Sequence, residues 1–249
     1  MNFVFIFLAG LGAGFINALA GGGSFLTFPA LIAAGLSPIA ANATSTIALF
    51  PSQVATTFAY RASLRQSLDD PRVDGHKLAI ISLVGGLFGA ILLLSTSEQV
   101  FARLVPFLLL GATLVFAFGM VMPREAKTPL FGAAGVLIAH AFVSIYGGYF
   151  GGGIGILMLA ALTLYGLRDI LLMNSLKVAL ATLMNLTATG VFLFSGRIYW
   201  FEAALMAAGS VAGGFLGAHA GSRIKPIYVK IFVIVIGLVL SLLFYIKTP

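Results

Sequence analysis

The stretch AGGGSFLTFPALIAAGL, residues 20–36, places three consecutive glycines and a proline inside an otherwise apolar run. The apolar piece after the glycines, residues 24–34, would form a helix of about 16 Å, roughly half the hydrocarbon thickness of a bilayer. A helix that begins inside a membrane exposes unpaired backbone N–H groups, which is tolerated only where the backbone lines a cavity. We therefore interpret residues 21–23 as the start of a half-helix that faces a cavity.

The composition of the whole chain is that of an integral membrane protein. Of its 249 residues, 60% are hydrophobic and 8% are charged, and the mean hydropathy is +1.10, whereas soluble domains carry about 25% charged residues. Long apolar runs without alternation satisfy their backbone groups in lipid as helices. The sequence predicts an all-α integral membrane protein with about eight to ten membrane helices, including short segments interrupted by glycine.

Apolar spans recur along the chain with polar residues between them. The spans that we predict are 3–20, 24–34, 39–60, 77–94, 102–122, 129–146, 154–165, 170–194, 200–220 and 228–245. The longest polar stretch, residues 61–77, is predicted to be a loop.

Two pairs of similar segments indicate an internal repeat. GGGSFLTFPALIAAGL from Gly21 corresponds to GGGIGILMLAALTLYGL from Gly151, and SLVGGLFGA from Ser82 corresponds to SVAGGFLGA from Ser210. Since these matches occur in the same order, we predict two homologous membrane repeats, residues 1–122 and 129–249, joined by a linker at 123–128.

The distribution of basic residues favours an inverted arrangement of the two halves. With an odd number of crossings per half, ten Lys and Arg residues fall on one side of the membrane and three on the other; with four crossings the division is eight to five. Basic residues concentrate on the cytoplasmic side of membrane proteins. The larger group contains Arg61, Arg65, Arg72, Lys77, Arg124, Lys127, Arg168, Arg223, Lys225 and Lys230, and the smaller contains Arg103, Arg197 and Lys247. We predict a multi-pass protein of the inner (plasma) membrane with both termini outside the cytoplasm.

Inverted repeats with glycine-interrupted segments at matching positions indicate a transporter binding site. The positive end of a helix dipole and its free N–H groups favour an anion. Lys177 lies well inside a span, where a lysine costs roughly 2.5 kcal/mol or more unless it snorkels, pairs or faces water. Asn174 shares its helix face. The predicted substrate-binding residues are Gly21, Gly22, Gly23, Ser24, Thr27, Asn42, Thr44, Ser45, Gly151, Gly152, Gly153, Asn174, Ser175 and Lys177.

Other polar and small residues have further roles, and for His140 and the spaced glycines two interpretations are open. His140 is either a proton relay or a hydrogen-bonding group between helices. Tyr146 lies close enough to the second glycine cluster to line the same cavity. Polar residues that we assign mainly to helix packing are Asn17, Gln53, Asn185 and Thr187. Glycines spaced by four form faces for helix packing or for a homodimer: Gly85 and Gly89, and Gly209, Gly213, Gly217 and Gly221.

Several function classes lack the residues that they need. The chain has no cysteine, which removes thiol chemistry and iron–sulfur clusters, and it has no HExxH motif or pair of intramembrane carboxylates. We therefore predict no enzyme activity, no metal and no cofactor. The net charge of +7 is explained by membrane orientation rather than by nucleic acid. The expected partners are a small anion and the lipid bilayer.

The segment GFINALAGGGSFLTFPALIAAGLSPIAANATS, residues 14–45, its weaker copy after Gly151, and the GGLFGA and GGFLGA motifs resemble the TauE/SafE family of sulfite exporters across nearly the whole chain. The resemblance implies a permease that exports sulfite, or organosulfonates such as sulfoacetate, from the cytoplasm, and we picture alternating access. An anion channel, or a permease for another small anion, is the alternative. The second copy differs from the first, with Ala160 in place of Pro29.

Overall fold

The computed structural model describes residues 3–19, 21–71, 73–121, 133–164, 167, 169–220 and 226–247. Within these ranges the regular structure is entirely α-helical, and the predicted all-α membrane fold class is confirmed. The helices are α1 Phe3–Leu19, α2 Ser24–Ala33, α3 Pro38–Ala59, α4 Arg61–Leu68, α5 Gly75–Ser95, α6 Glu98–Val121, α7 Ala133–Tyr149, α8 Ile154–Leu164, α9 Ile170–Leu193, α10 Trp200–Ala220 and α11 Pro226–Lys247.

Each predicted apolar span corresponds to one of these helices, but the polar stretch 61–77 is not simply a loop as predicted. Its first part forms α4, which packs against the beginning of α9. The buried hydroxyl of Ser67 lies 3.0 Å from the Ser175 hydroxyl and donates to the carbonyl of Leu172 at 3.0 Å. This tertiary contact orders a segment whose polar composition gave no sign of a helix.

The surface of the protein is apolar and suits a lipid environment. In the described part of the chain, three helical segments are long and apolar enough to cross a membrane: Gly75–Ser95, Glu98–Val115 and Leu171–Leu193. Large apolar side chains lie on the outside, such as Phe142 with 70% and Phe118 with 68% of its surface exposed. Large apolar side chains therefore cover the outside as well as the core, and polar groups such as His140 and Lys177 are enclosed among the helices.

Two helices of the predicted first half, α1 and α5, pack most closely on helices of the predicted second half that are not their sequence counterparts. By sequence order, α1, α2, α3, α5 and α6 correspond to α7, α8, α9, α10 and α11. Helix α1 packs closely on α10, and its counterpart α7 packs on α5. A Cβ added to Gly213 would lie 1.8 Å from the Leu11 carbonyl oxygen, and one added to Gly89 would lie 2.1 Å from the Ile145 oxygen. Both contacts therefore require glycine.

Two pairs of corresponding helices contact each other and run in opposite directions. In α3 and α9, Thr57 meets Thr182 and Gln53 meets Asn185, so the residue numbers rise along one helix as they fall along the other. In α6 and α11, the Ser241 hydroxyl donates to the Pro106 carbonyl, and Gly237 faces Thr113. Opposite directions are what inverted halves would produce. The inversion and the boundaries of the repeats stay predictions.

The predicted glycine faces are used within the chain where they are described. Gly209, Gly213 and Gly217 all contact the backbone of α1, while Gly85 and Gly89 contact α7. Gly221 lies outside the described residues. A homodimer stays a prediction, and at these faces it would compete with the chain's own helices.

A carboxylate from α6 holds the beginning of α3. Glu98 accepts hydrogen bonds from the Ile39 N–H at 3.0 Å and from the Ser37 hydroxyl at 2.9 Å. Arg197, between α9 and α10, pairs with the same carboxylate at 2.6 Å. One side chain thereby connects three segments of the chain and satisfies a backbone N–H group in the first turn of α3.

Candidate functional site

The two glycine-tipped ends meet inside the protein. A Cβ on Gly155, in the first turn of α8, would lie 2.9 Å from the Cα of Gly21, just before α2. Gly21 has a φ of +73°, and its sequence counterpart Gly151 has a φ of +69°. This left-handed conformation strains any residue with a side chain, and the close approach leaves no room for one. Gly21 therefore serves both its turn and the contact with Gly155, whereas Gly151 serves its turn.

The side chain of Lys177, from α9, lies beside this meeting point. Its ammonium nitrogen is 3.6 Å from the position of a Cβ on Gly21, and its Cδ is 3.5 Å from that of a Cβ on Gly155. Only 2% of Lys177 is exposed. The ammonium donates to Asn174 Oδ1 at 3.0 Å, and no carboxylate pairs with it among the residues that the structure describes. A buried positive charge thus has a neutral partner only.

Asn17, which the sequence analysis assigned to helix packing, accepts the backbone hydrogen bonds at the beginning of α2. Asn17 Oδ1 accepts from the N–H of Gly22 at 3.0 Å and from that of Gly23 at 2.8 Å, and the Gly21 N–H donates to the Ile16 carbonyl at 3.1 Å. The three N–H groups that were predicted to face an anion are therefore all occupied. The sequence signal is an asparagine that precedes a glycine cluster by one helical turn.

The α8 end has a different set of contacts. The Gly151 N–H donates to the Tyr146 carbonyl at 3.1 Å. The Tyr146 hydroxyl donates to the Gly152 carbonyl at 2.7 Å, and the Leu108 carbonyl lies 3.3 Å from the same oxygen. Among the described residues, the N–H groups of Gly152 and Gly153 have no acceptor. Tyr146 thus contacts this turn twice, through its carbonyl at the Gly151 N–H and through its hydroxyl at the Gly152 carbonyl.

The remaining predicted residues connect helices around the meeting point. Ser24 is half-buried at the beginning of α2. The hydroxyls of Thr27 and Ser45 lie 2.5 Å apart between α2 and α3. Asn42 donates to the Tyr149 carbonyl at 3.1 Å, and Thr44 accepts from the Tyr199 N–H at 3.2 Å. The predicted Ser175 bonds to α4 as described above. The structure therefore brings Gly21, Asn174 and Lys177 together, and it gives partners within the protein to Thr27, Asn42, Thr44, Ser45 and Ser175.

His140 lies between α5 and α7, with Nε2 3.0 Å from the Ser82 hydroxyl and 3.2 Å from the Leu78 carbonyl. The Ser144 hydroxyl donates to the His140 carbonyl. These bonds connect two helices, as expected for a hydrogen-bonding histidine, while a proton relay stays a prediction.

The chain with these paired, glycine-tipped half-helices matches a known family over nearly its whole length. The profile of the family "Sulfite exporter TauE/SafE" matches residues 6–244. The chain belongs to this TauE/SafE family. As a TauE/SafE member it is similar to proteins named as probable membrane transporters, and a membrane transporter is the function class that these matches support.

Three such relatives illustrate the similarity. The YfcA protein of Escherichia coli K12 is 31% identical over 224 residues, covering 88% of this chain and 79% of its own. A protein of Haemophilus influenzae is 32% identical over 219 residues, covering 86% and 82%. The ORF9 protein of a Sinorhizobium species is 34% identical over 226 residues, covering 88% and 81%. No solved structure matches the chain significantly.

Proposed function

We propose that this TauE/SafE member exports small sulfur-containing anions, sulfite first, from the cytoplasm across the inner membrane by alternating access. The observation that carries the proposal is Lys177, whose buried ammonium lies where two half-helices meet and has no described carboxylate partner. A positive charge in this position is costly unless something negative joins it. An anionic substrate supplies that counter-charge.

The chemistry of the cargo agrees with the site. Sulfite and sulfonates present several oxygen acceptors on one small, negatively charged group, and charge-assisted hydrogen bonds to an ammonium are shorter and stronger than neutral ones. The membrane potential, negative inside, also favours anion efflux, by about 2.3 kcal/mol per charge per 100 mV. Export of such an anion therefore needs no further energy source.

The alternating-access part of the proposal is supported by the antiparallel packing of α3 on α9 and of α6 on α11. Opposite directions of corresponding helices are expected of inverted repeats, and transporters built from such repeats work by rocking one half against the other around a central site. The proposal places both termini outside the cytoplasm. A reporter fused after Pro249 that is active in the cytoplasm would contradict this orientation.

Uptake of radiolabelled sulfite into inside-out membrane vesicles with a positive-inside potential tests the proposal. We expect saturable uptake that Lys177→Met lowers about tenfold or more, because a hydrogen bond to a charged group contributes about 1.5–3 kcal/mol. Lys177→Arg should retain part of it. The matched control is Lys77→Met, since Lys77 is a surface residue with 64% of its side chain exposed.

The outcomes separate the proposal from its alternatives. Uptake by Lys177→Met within twofold of the wild type, in protein that elutes as a single species from gel filtration, would overturn the role of Lys177. Flux without saturation or counterflow would identify an anion channel. Saturable flux of another anion, with none of sulfite, would identify a permease with different cargo.

A further inference from the structure

Helices α3 and α9 carry an asparagine at the same place but differ three residues later. Asn42 is the fifth residue of α3 and Asn174 the fifth of α9, while the eighth residues are Ser45 and Lys177. Residues three apart share one helix face, so each asparagine lies beside its serine or lysine. The two predicted repeats therefore differ by one positive charge at a corresponding position.

The pair on α3 is bonded to neighbouring helices. The Asn42 amide donates to the Tyr149 carbonyl at the end of α7 at 3.1 Å, and the Ser45 hydroxyl lies 2.5 Å from the Thr27 hydroxyl of α2. Both side chains are buried among these helices. The pair on α3 is neutral and has partners within the protein, so it needs no ligand.

The pair on α9 is differently bonded. At the place that corresponds to Thr27, helix α8 has Leu157, which offers no hydrogen-bonding group. The Lys177 ammonium instead lies beside Gly21 and donates to Asn174 Oδ1 at 3.0 Å. Because an ammonium has donors only, this bond turns the amide oxygen toward it and leaves the two N–H donors of Asn174 Nδ2. Those donors have no acceptor among the described residues.

We infer that the two corresponding positions have different roles: the one on α9 binds a single oxyanion between the Lys177 ammonium and the Asn174 amide N–H, and the one on α3 joins helices. This inference rests on the proposed function, to which it adds Asn174 as a specificity-determining residue. An oxyanion has separate oxygens that accept from both donors at once. A neutral amide is required beside the lysine, because a carboxylate there would neutralise the ammonium within the protein.

The site is closed in this structure. Only 2% of Lys177 is exposed, and its side chain lies beside Gly21 and Gly155, where the ends of α2 and α8 meet. An anion therefore reaches the ammonium after these two ends separate, which is the kind of opening that alternating access supplies.

Asn174→Asp is the sharpest test, because aspartate has the shape of asparagine but carries a negative charge. The carboxylate would pair with Lys177 and would present no N–H donor to an anion. We expect the Kd for radiolabelled sulfite, measured by equilibrium binding to the purified full chain at neutral pH, to rise about tenfold or more. The Tm without sulfite should equal or exceed that of the wild type, because the buried ammonium then has a counter-charge.

Asn174→Leu separates the two functions of the amide. It removes the N–H donors without adding a charge, so the Kd should rise about threefold or more but less than in Asn174→Asp. If folded Asn174→Leu binds sulfite as tightly as the wild type, Asn174 is not a ligand and the inference is wrong.

Asn185→Asp is the matched control. It makes the same substitution on the same helix, about 16 Å along α9 from position 174, at a side chain that bonds to Gln53 across the α3–α9 contact. We expect its Kd for sulfite to stay within about threefold of the wild type. A loss as large as that of Asn174→Asp would mean that any added negative charge on α9 weakens binding, and it would overturn the role of Asn174.

Ser45→Ala tests the position on α3. It should lower the Tm, because the Thr27 hydroxyl loses its partner, while sulfite binds within about threefold of the wild type at one site per chain. A tenfold weaker affinity in folded Ser45→Ala, or two sulfite ions bound per wild-type chain, overturns the difference between the two positions.

The failure of the inference and that of the proposed function give different results. Wild-type protein that binds neither sulfite nor thiosulfate in a Lys177-dependent way overturns the proposed function, and the inference with it. Binding that is lost in Lys177→Met but stays within threefold of the wild type in Asn174→Asp overturns the inference alone.

Discussion

Gly213→Ala should destabilise the protein by separating α10 from α1. The new methyl would lie 1.8 Å from the Leu11 carbonyl oxygen, so the helices must move apart by about 1.6 Å to restore an ordinary contact. Overpacking of this kind costs about 1–3 kcal/mol, and the upper end applies because the neighbour is backbone that cannot rotate away. Alanine returns up to about 1 kcal/mol through its helix propensity. We expect a net loss of about 2 kcal/mol.

Thermal unfolding in detergent, followed by tryptophan fluorescence, measures this loss. For a chain of this size about 2 kcal/mol lowers the Tm by roughly 4–8 °C. The matched control is Gly190→Ala in α9, where an added Cβ meets nothing within 4 Å, and its Tm should equal or exceed that of the wild type. If the Tm of Gly213→Ala is not lower than that of Gly190→Ala, the close packing of α1 on α10 is incorrect.

Two further predictions concern charged residues at helix ends. Glu98→Ala should cost about 1–2 kcal/mol of stability through loss of the bond to the Ile39 N–H. Arg197→Ala should cost less than about 1 kcal/mol because the Arg197–Glu98 pair is partly exposed. Equal losses of the two variants in thermal unfolding would contradict this order. Asp74 begins α5, and the hydrogen bond from the Lys77 side chain lowers its pKa below 3.8. Its contribution to stability is present above pH 3.8 and lost as the pH falls through the lower folded pKa, so Asp74→Ala should reduce the Tm at pH 7 but not in strong acid.

The helices and the two glycine-tipped half-helices follow patterns that are visible in the sequence. Apolar length predicts the spans, and the duplicated glycine cluster predicts where each short helix begins; the left-handed conformations of Gly21 and Gly151 and the contact between the two ends come from the structure. Helix α4 is not predictable in this way because its order comes from Ser67 contacting α9, which is distant in sequence. The capping by Asn17 requires knowing how the chain turns after α1. The spacing of the glycines does not indicate which helix packs on each glycine face, because α1 and α7 are distant in sequence from α10 and α5.

The exchange of α1 and α7 between the halves has a consequence for biosynthesis. The side of α1 that contacts Gly209, Gly213 and Gly217 gains this partner only when α10 has been synthesised, about two hundred residues later. During most of translation α1 therefore lies in the bilayer without the helix on which it packs most closely. In the packing of α1 on α10 and of α7 on α5, each predicted repeat supplies a helix to the other. Two polypeptides divided between α6 and α7 should accordingly find one another in the membrane, while either one alone would be a substrate for membrane quality control.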